Sequence, residues 1–174
     1  PVTYIKAAKE FFALHANTKK IKFVVIGKGA LETQMREFCR DNNLEDSVEF
    51  TGELPIALVW DWIKKSKVLV LPSIREPSGA VLTEAMAYKC YCIAANVGGI
   101  PELVTVDRGS LFESGDYKNI ARLLNDFLND EEKYKTKVLA AYNYVRNNYS
   151  FEKAAEQLNE IFKNYINDKE NNYA

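Results

Sequence analysis

Val68-Leu69-Val70-Leu71 is a short apolar run of strand-forming residues. Past Pro72 and Ser73 the apolar positions change to helical spacing at Val81, Leu82, Ala85 and Met86. Between the two lies the polar turn Arg75-Glu76-Pro77-Ser78-Gly79. This is strand, tight loop, helix, and it constrains the chain to an α/β architecture more than any other stretch. A helix N-terminus presents unpaired backbone N–H groups and a partial positive charge, which suit an anion such as phosphate. Gly79 lets a ligand approach the backbone closely. Glu76 lies in the loop before the helix and Glu84 more than a turn inside it. Two further negative charges do little for an anion site, but they suit the hydroxyl donors of a sugar. The local reading is phosphate plus polyol. Strand-loop-helix units are also the ordinary repeat of every doubly wound sheet, and Ser-Gly at a helix start also serves as a plain cap.

The rest of the chain repeats the alternation. Residues 4–16 place Ile5, Ala8, Phe12 and Ala16 on one helical face, widened by Phe11 and Leu14. Asn17-Thr18-Lys19-Lys20 ends that helix, and Ile21 to Ile26 reads as a strand buried in a parallel sheet. Gly27-Lys28-Gly29 then turns the chain into a helix over 30–42. Glu32 stands where a dinucleotide fingerprint needs its third glycine, so this Gly-x-Gly reads as a tight turn. Strands follow at 47–51, 68–71, 91–94 and 109–112, with a helix carrying Trp60 and Trp62 over 54–65. Helices over 116–129, 131–148 and 151–167 close the pattern. Asp116 and Ser150 are candidate N-caps, and the polar tail from 168 to 174 reads as frayed. The fold class is therefore α/β, a Rossmann-like, doubly wound parallel sheet in one domain with extra C-terminal helices. Ligands of such sheets gather outside the carboxyl ends of the strands, where the loops at 27–29, 52–54, 73–79, 96–101 and 113–115 fall.

Composition removes several function classes. The net charge of −1 gives no field for nucleic acid or an anionic membrane. No apolar run approaches the roughly 20 residues of a spanning helix, and no signal peptide opens the chain. Cys39, Cys90 and Cys92 are odd in number and lack framework spacing, which fits free, buried thiols in a reducing, cytoplasmic setting. The single histidine, His15, reads as a surface residue and has no triad partners. No Asp-x-Asp pair or second cysteine pair offers a metal site.

Glu76-Pro77-Ser78-Gly79 followed by Glu84-Ala85-Met86-Ala87 resembles the E-x7-E signature of the group 1 retaining glycosyltransferases of GT-B fold. Asn96-Val97-Gly98-Gly99-Ile100-Pro101-Glu102-Leu103-Val104 resembles the second signature of that family's C-terminal domain. Gly27-x-Gly29, Val48-x-Phe50-x-Gly52 and Val70-Leu71-Pro72-Ser73 appear in the family's order, so the likeness covers residues 3–166. Here the family's aromatic-Gly pair is Ser78-Gly79. Lys89 and Tyr91 replace its usual Gly and Pro, and Lys67 its usual Asp.

The resemblance implies a domain that binds a nucleotide-diphosphate sugar of UDP or GDP type as donor substrate, with no cofactor and no metal. By motif, Glu84 would accept hydrogen bonds from the ribose, and Glu76, the catalytic-site carboxylate, would face the transferred sugar. The N–H groups around Ser78, Gly79 and Ala80 would hold the diphosphate, and Leu54 would lie against the base. The family domain opens with a strand and loop that supply a basic clamp. The chain starts just after that point, with Lys28 as a possible substitute cation. The expected partner is a separate N-terminal acceptor domain, through which any peripheral membrane contact would run, and the isolated domain would be inert. Two alternatives keep the architecture: a non-catalytic module without donor affinity, and a sugar-nucleotide epimerase. The first predicts that replacing Glu84 changes nothing. The second needs a further acid and base that the sequence does not nominate.

Overall fold

The computed structural model describes residues 1–15 and 21–172, and the side chains of 1–15 and 21–166. Among these the order is α1 (Val2–Leu14), β1 (Phe23–Ile26), α2 (Glu32–Asp41), β2 (Val48–Gly52), α3 (Ile56–Lys65) and β3 (Val68–Leu71). Then come α4 (Ala80–Ala87), β4 (Tyr91–Ala95), α5 (Ile100–Leu103), β5 (Ser110–Phe112), α6 (Tyr117–Asn129), α7 (Glu131–Asn148) and α8 (Phe151–Asn172). The α/β class with parallel strands is as expected.

Every strand pair is parallel, with Phe23 opposite Val48, Val68 opposite Tyr91 and Ile93 opposite Ser110. The ladders form two sheets, β1-β2 and β3-β4-β5, where the sequence suggests one. The Phe23 N–H donates to Ser47 O and the Tyr91 N–H to Lys67 O, which fixes the backbone phase of β1 and β3. Alternate residues of a parallel strand turn their backbone groups to opposite edges. Val24, Ile26, Val68 and Val70 therefore turn theirs to edges that carry no ladder partner among the described residues. The Val24 backbone N–H instead meets the Tyr4 hydroxyl, which burial pushes above its ordinary range.

Helices α1 and α6 form one layer that covers both sheets. Ile5, Ala8, Phe11 and Ala121 pack on Phe23 and Val48, while Ala7, Ile120 and Phe127 pack on Tyr91, Ile93 and Phe112. On the other face Leu82, Ala85, Met86, Ile100 and Leu103 close over Cys92 and Ala94. All five residues of β4 are buried, as a strand covered on both faces should be.

Several local expectations change. Leu14 is exposed at the end of α1 rather than part of its apolar face. His15 is half-buried, with Nε2 at 2.7 Å from Asn125 Oδ1 and its ring against Phe11, so it is not a surface residue. The helix stop expected at 17–20, and Ala16, lie outside the described residues. Ile100 and Pro101, read as part of the turn at 98–101, instead open the short helix α5. The backbone of α8 is helical to Asn172, and residues 173 and 174 lie outside the described ones. Asp116 and Ser150 do cap α6 and α8, accepting from the Asn119 and Lys153 N–H at 3.0 and 3.1 Å. Asp130 caps α7 in the same way.

Candidate functional site

The loops that leave the carboxyl ends of β3, β4 and β5 are tied into one rim. Ser114 Oγ donates to the Ser73 carbonyl at 3.4 Å, and Asn96 Nδ2 to Glu113 Oε1 at 3.0 Å. Gly98 and Gly99 are there because this rim leaves no room for side chains. A Cβ on Gly98, whose φ is +55°, would stand 1.9 Å from the Glu76 carbonyl oxygen, and one on Gly99 2.3 Å from that of Pro77. The Gly99 N–H donates to the same Glu76 carbonyl at 3.3 Å. The second signature thus fixes the path of the first by backbone contact.

Gly79, at φ +68°, is the N-cap of α4 and adopts the left-handed conformation that suits glycine. Its side-chain-free position leaves the helix start to be capped from elsewhere, and Glu76 does so. Glu76 Oε1 accepts from the Gly79 N–H at 3.0 Å and from the Ser78 N–H at 3.5 Å. A carboxylate here satisfies orphan donors and the positive end of the helix. The donors that the sequence assigns to an anion are therefore present and already hold one. Ser78 and Ala80 are exposed beside them.

Glu84 lies one turn into α4, half-buried, and its Oε2 accepts from the Trp60 indole Nε1 at 3.0 Å. Trp60 comes from α3, which begins two residues after Leu54. Leu54 is half-buried in the loop that leaves β2. Lys28, exposed after β1, lays its side chain near Gly52: a Cβ there would meet Lys28 Cε at 3.6 Å. Sequence reasoning placed the two glutamates but missed Trp60, because a contact across 24 residues between two helices leaves no local signature.

The three thiols are free and buried. Burial pushes Cys90 up to about 12 and Cys92 higher still, so both stay protonated and are poor nucleophiles. No group of three His, Cys, Asp or Glu side chains among the described residues is arranged for a metal ion. No described helix is long and apolar enough to cross a membrane. Two surface concavities lie away from the rim: one by Arg36 and Phe50, the other by Lys67, Lys89 and Tyr134 at the amino ends of β3 and β4.

These features define a parallel α/β domain with polar groups collected at the carboxyl edge of β3, β4 and β5. The chain belongs to the group 1 glycosyl transferases, whose family model matches residues 1–144. It is 29% identical over 171 residues to the N-acetyl-alpha-D-glucosaminyl L-malate synthase of Bacillus anthracis, covering 98% of this chain and 44% of that protein. It resembles the crystal structure of the C-terminal domain of a group 1 family glycosyl transferase (LpcC) from Francisella tularensis, with a TM-score of 0.78 and 24% identity. That likeness covers 86% of this chain and 79% of the other. Anabaena Alr3699/HepE, solved in complex with UDP and glucose, shares the fold at a TM-score of 0.77 and 21% identity, over 90% of this chain and 44% of that one. The chain spans less than half the length of the curated relatives it matches.

Proposed function

We propose that this chain is the donor-binding domain of a retaining glycosyltransferase. It takes a nucleotide-diphosphate sugar of UDP or GDP type and serves transfer to a sugar, lipid or polysaccharide acceptor. The observation that carries the reading is the pair of carboxylates about one helix start: Glu76 folded onto the Ser78 and Gly79 N–H groups that lead into α4, and Glu84 one turn inside the helix. Departure of a nucleoside diphosphate builds negative charge on phosphate oxygens, and preorganised N–H donors stabilise it without reorganising. The N–H groups of Ser78, Gly79 and Ala80 supply those donors. An arriving diphosphate displaces Glu76 from them, and the freed carboxylate turns to the hydroxyls of the transferred sugar. There it also balances the cationic charge that develops at the anomeric carbon. Glu84 takes the ribose hydroxyls, Leu54 the base, and Lys28 stands as a cation near the Gly52 loop. The substrate supplies the chemistry, and the reading needs no cofactor and no metal.

The sheet break supports a further element of this reading. In the doubly wound order 3-2-1-4-5-6, β2, β1, β3, β4 and β5 take places 3, 2, 4, 5 and 6. Place 1 is the central strand, adjacent to both unpaired edges, and α1 is its right-handed crossover to β1. A strand ahead of α1 fills that place and brings the loop that carries the basic clamp. The acceptor site lies on a further, N-terminal domain, which carries any contact with a membrane surface. The chain alone therefore binds donor without transferring it, in the cytoplasm that its free thiols suit.

The test is transfer by the complete enzyme from a panel of UDP- and GDP-sugars, with nucleoside diphosphate release and the anomer of the product read by NMR. Retention of the donor's α configuration supports the reading. An inverted product, or turnover by this chain alone, contradicts it.

A further inference from the structure

The indole–carboxylate contact between α3 and α4 joins Glu84 of the first signature to Trp60, which lies outside both signatures. Trp60 Nε1 stands 3.0 Å from Glu84 Oε2. Trp60 is 36% exposed, so water could satisfy its N–H, and burial does not force the contact. Indole nitrogen only donates and an ionised carboxylate only accepts, so the bond has one sense and is charge-assisted. It uses one lone pair on Oε2. A second lone pair on Oε2 and those of Oε1 remain for other donors. Two vicinal hydroxyls need a carboxylate that presents both oxygens in one plane. A glutamate on a helix surface has three free torsions, and ordering them costs conformational entropy on binding. A partner that holds the carboxylate beforehand removes part of that cost.

We infer that Trp60 is a positioning residue: its indole N–H sets the plane of the Glu84 carboxylate for the paired hydroxyls of a ribose. The inference rests on the donor-site reading of Glu84. Trp60 touches no reacting atom and acts only through the carboxylate. Because α3 follows directly from the loop that carries Leu54, Trp60 also couples the setting of Glu84 to the segment that faces the base. The ribose is thus recognised by a carboxylate whose orientation is set from the base side of the site. A nucleotide without the vicinal diol gains nothing from this arrangement.

The experiment compares the dissociation constants of a nucleoside diphosphate and its 2′,3′-dideoxy analogue for the wild type, Trp60→Phe and Glu84→Ala. The phenylalanine keeps an aromatic ring and loses the donor together with part of the indole's apolar surface, and thermal unfolding checks that each variant folds. The wild type should prefer the ribonucleotide, and Glu84→Ala should bring the ratio to about one. Trp60→Phe should reduce the ratio about five-fold, the scale of ordering one otherwise free side chain on binding, with dideoxy affinity unchanged. A merely structural role would lower both affinities together. A wild-type ratio in Trp60→Phe, with the ratio lost in Glu84→Ala, overturns the inference alone. A ratio that survives in Glu84→Ala overturns the ribose assignment and the inference with it.

Discussion

Glu76 Oε1 lies 3.0 Å from the Gly79 backbone N–H, on the same helix start that the proposed reaction needs for a diphosphate. In the proposed reaction this one carboxylate takes two positions, cap and sugar ligand, exchanged by the arrival of an anion. Glu76→Gln removes the competing charge but keeps the acceptor. Nucleoside diphosphate affinity should stay the same or rise a few-fold, while transfer falls by at least about 100-fold, the scale of a lost charge-stabilising group. Calorimetry and a transfer assay on the complete enzyme check both sides. A parallel fall in both would mean that Glu76 holds only the loop.

Gly98 is the position where an added side chain does most harm. Its Cβ would stand 1.9 Å from the Glu76 carbonyl oxygen, a backbone atom held by the Gly99 N–H. Gly98→Ala should destabilise the fold by roughly 2 kcal/mol, combining left-handed strain with a forced loop shift. It should also weaken nucleotide binding. Chemical denaturation and titration measure the two effects.

The buried thiols and Tyr91 predict an alkaline limit to stability. Burial raises Cys90 from 9.0 to about 12 and Tyr91 from 10.0 to about 12 in the folded chain. A raised acid pKa favours the protonated, folded state below the unfolded value, and that contribution is lost as pH climbs toward the folded one. Stability from these groups should be level up to about pH 8 and then fall progressively between about pH 9 and 12. Denaturation midpoints across that range check the slope. Cys90→Ala should flatten part of it.

The edges of β1 and β3 that carry no ladder partner among the described residues give a prediction for hydrogen exchange. Val68 and Val70 turn their N–H groups to the open edge, whereas Leu69 turns its own to β4. In this chain the two valine amides should exchange at least about 100-fold faster than Leu69, since an amide without a ladder partner has little protection. They should become protected in a polypeptide extended ahead of α1. Equal protection of all three in the present chain would argue against an empty central place.

The sequence announces the elements through local pattern. Ile5, Ala8 and Phe11 share a helical face, and the apolar run at 91–94 is buried throughout. Asp116 and Ser150 sit where a cap must sit. Contacts between distant segments carry no such pattern. His15 meets Asn125 across 110 residues and so leaves the surface. Gly98 and Gly99 are visible as a motif, but their reason is the carbonyls of Glu76 and Pro77, known only once the two loops meet. The separation into two sheets follows from which edges pair, which apolar runs do not encode. At the site, Glu76 and Glu84 are legible by spacing. Their bonds to Gly79 and Trp60 depend on side-chain direction and helix placement, which require the fold.

Calorimetric titration of UDP, GDP and ADP, with Glu84→Ala as control, tests the donor-site account most directly. The account predicts that one of the three binds in preference and that the variant loses most of that affinity. Binding undiminished in Glu84→Ala, or no binding of any of the three by the polypeptide extended ahead of α1, would contradict it.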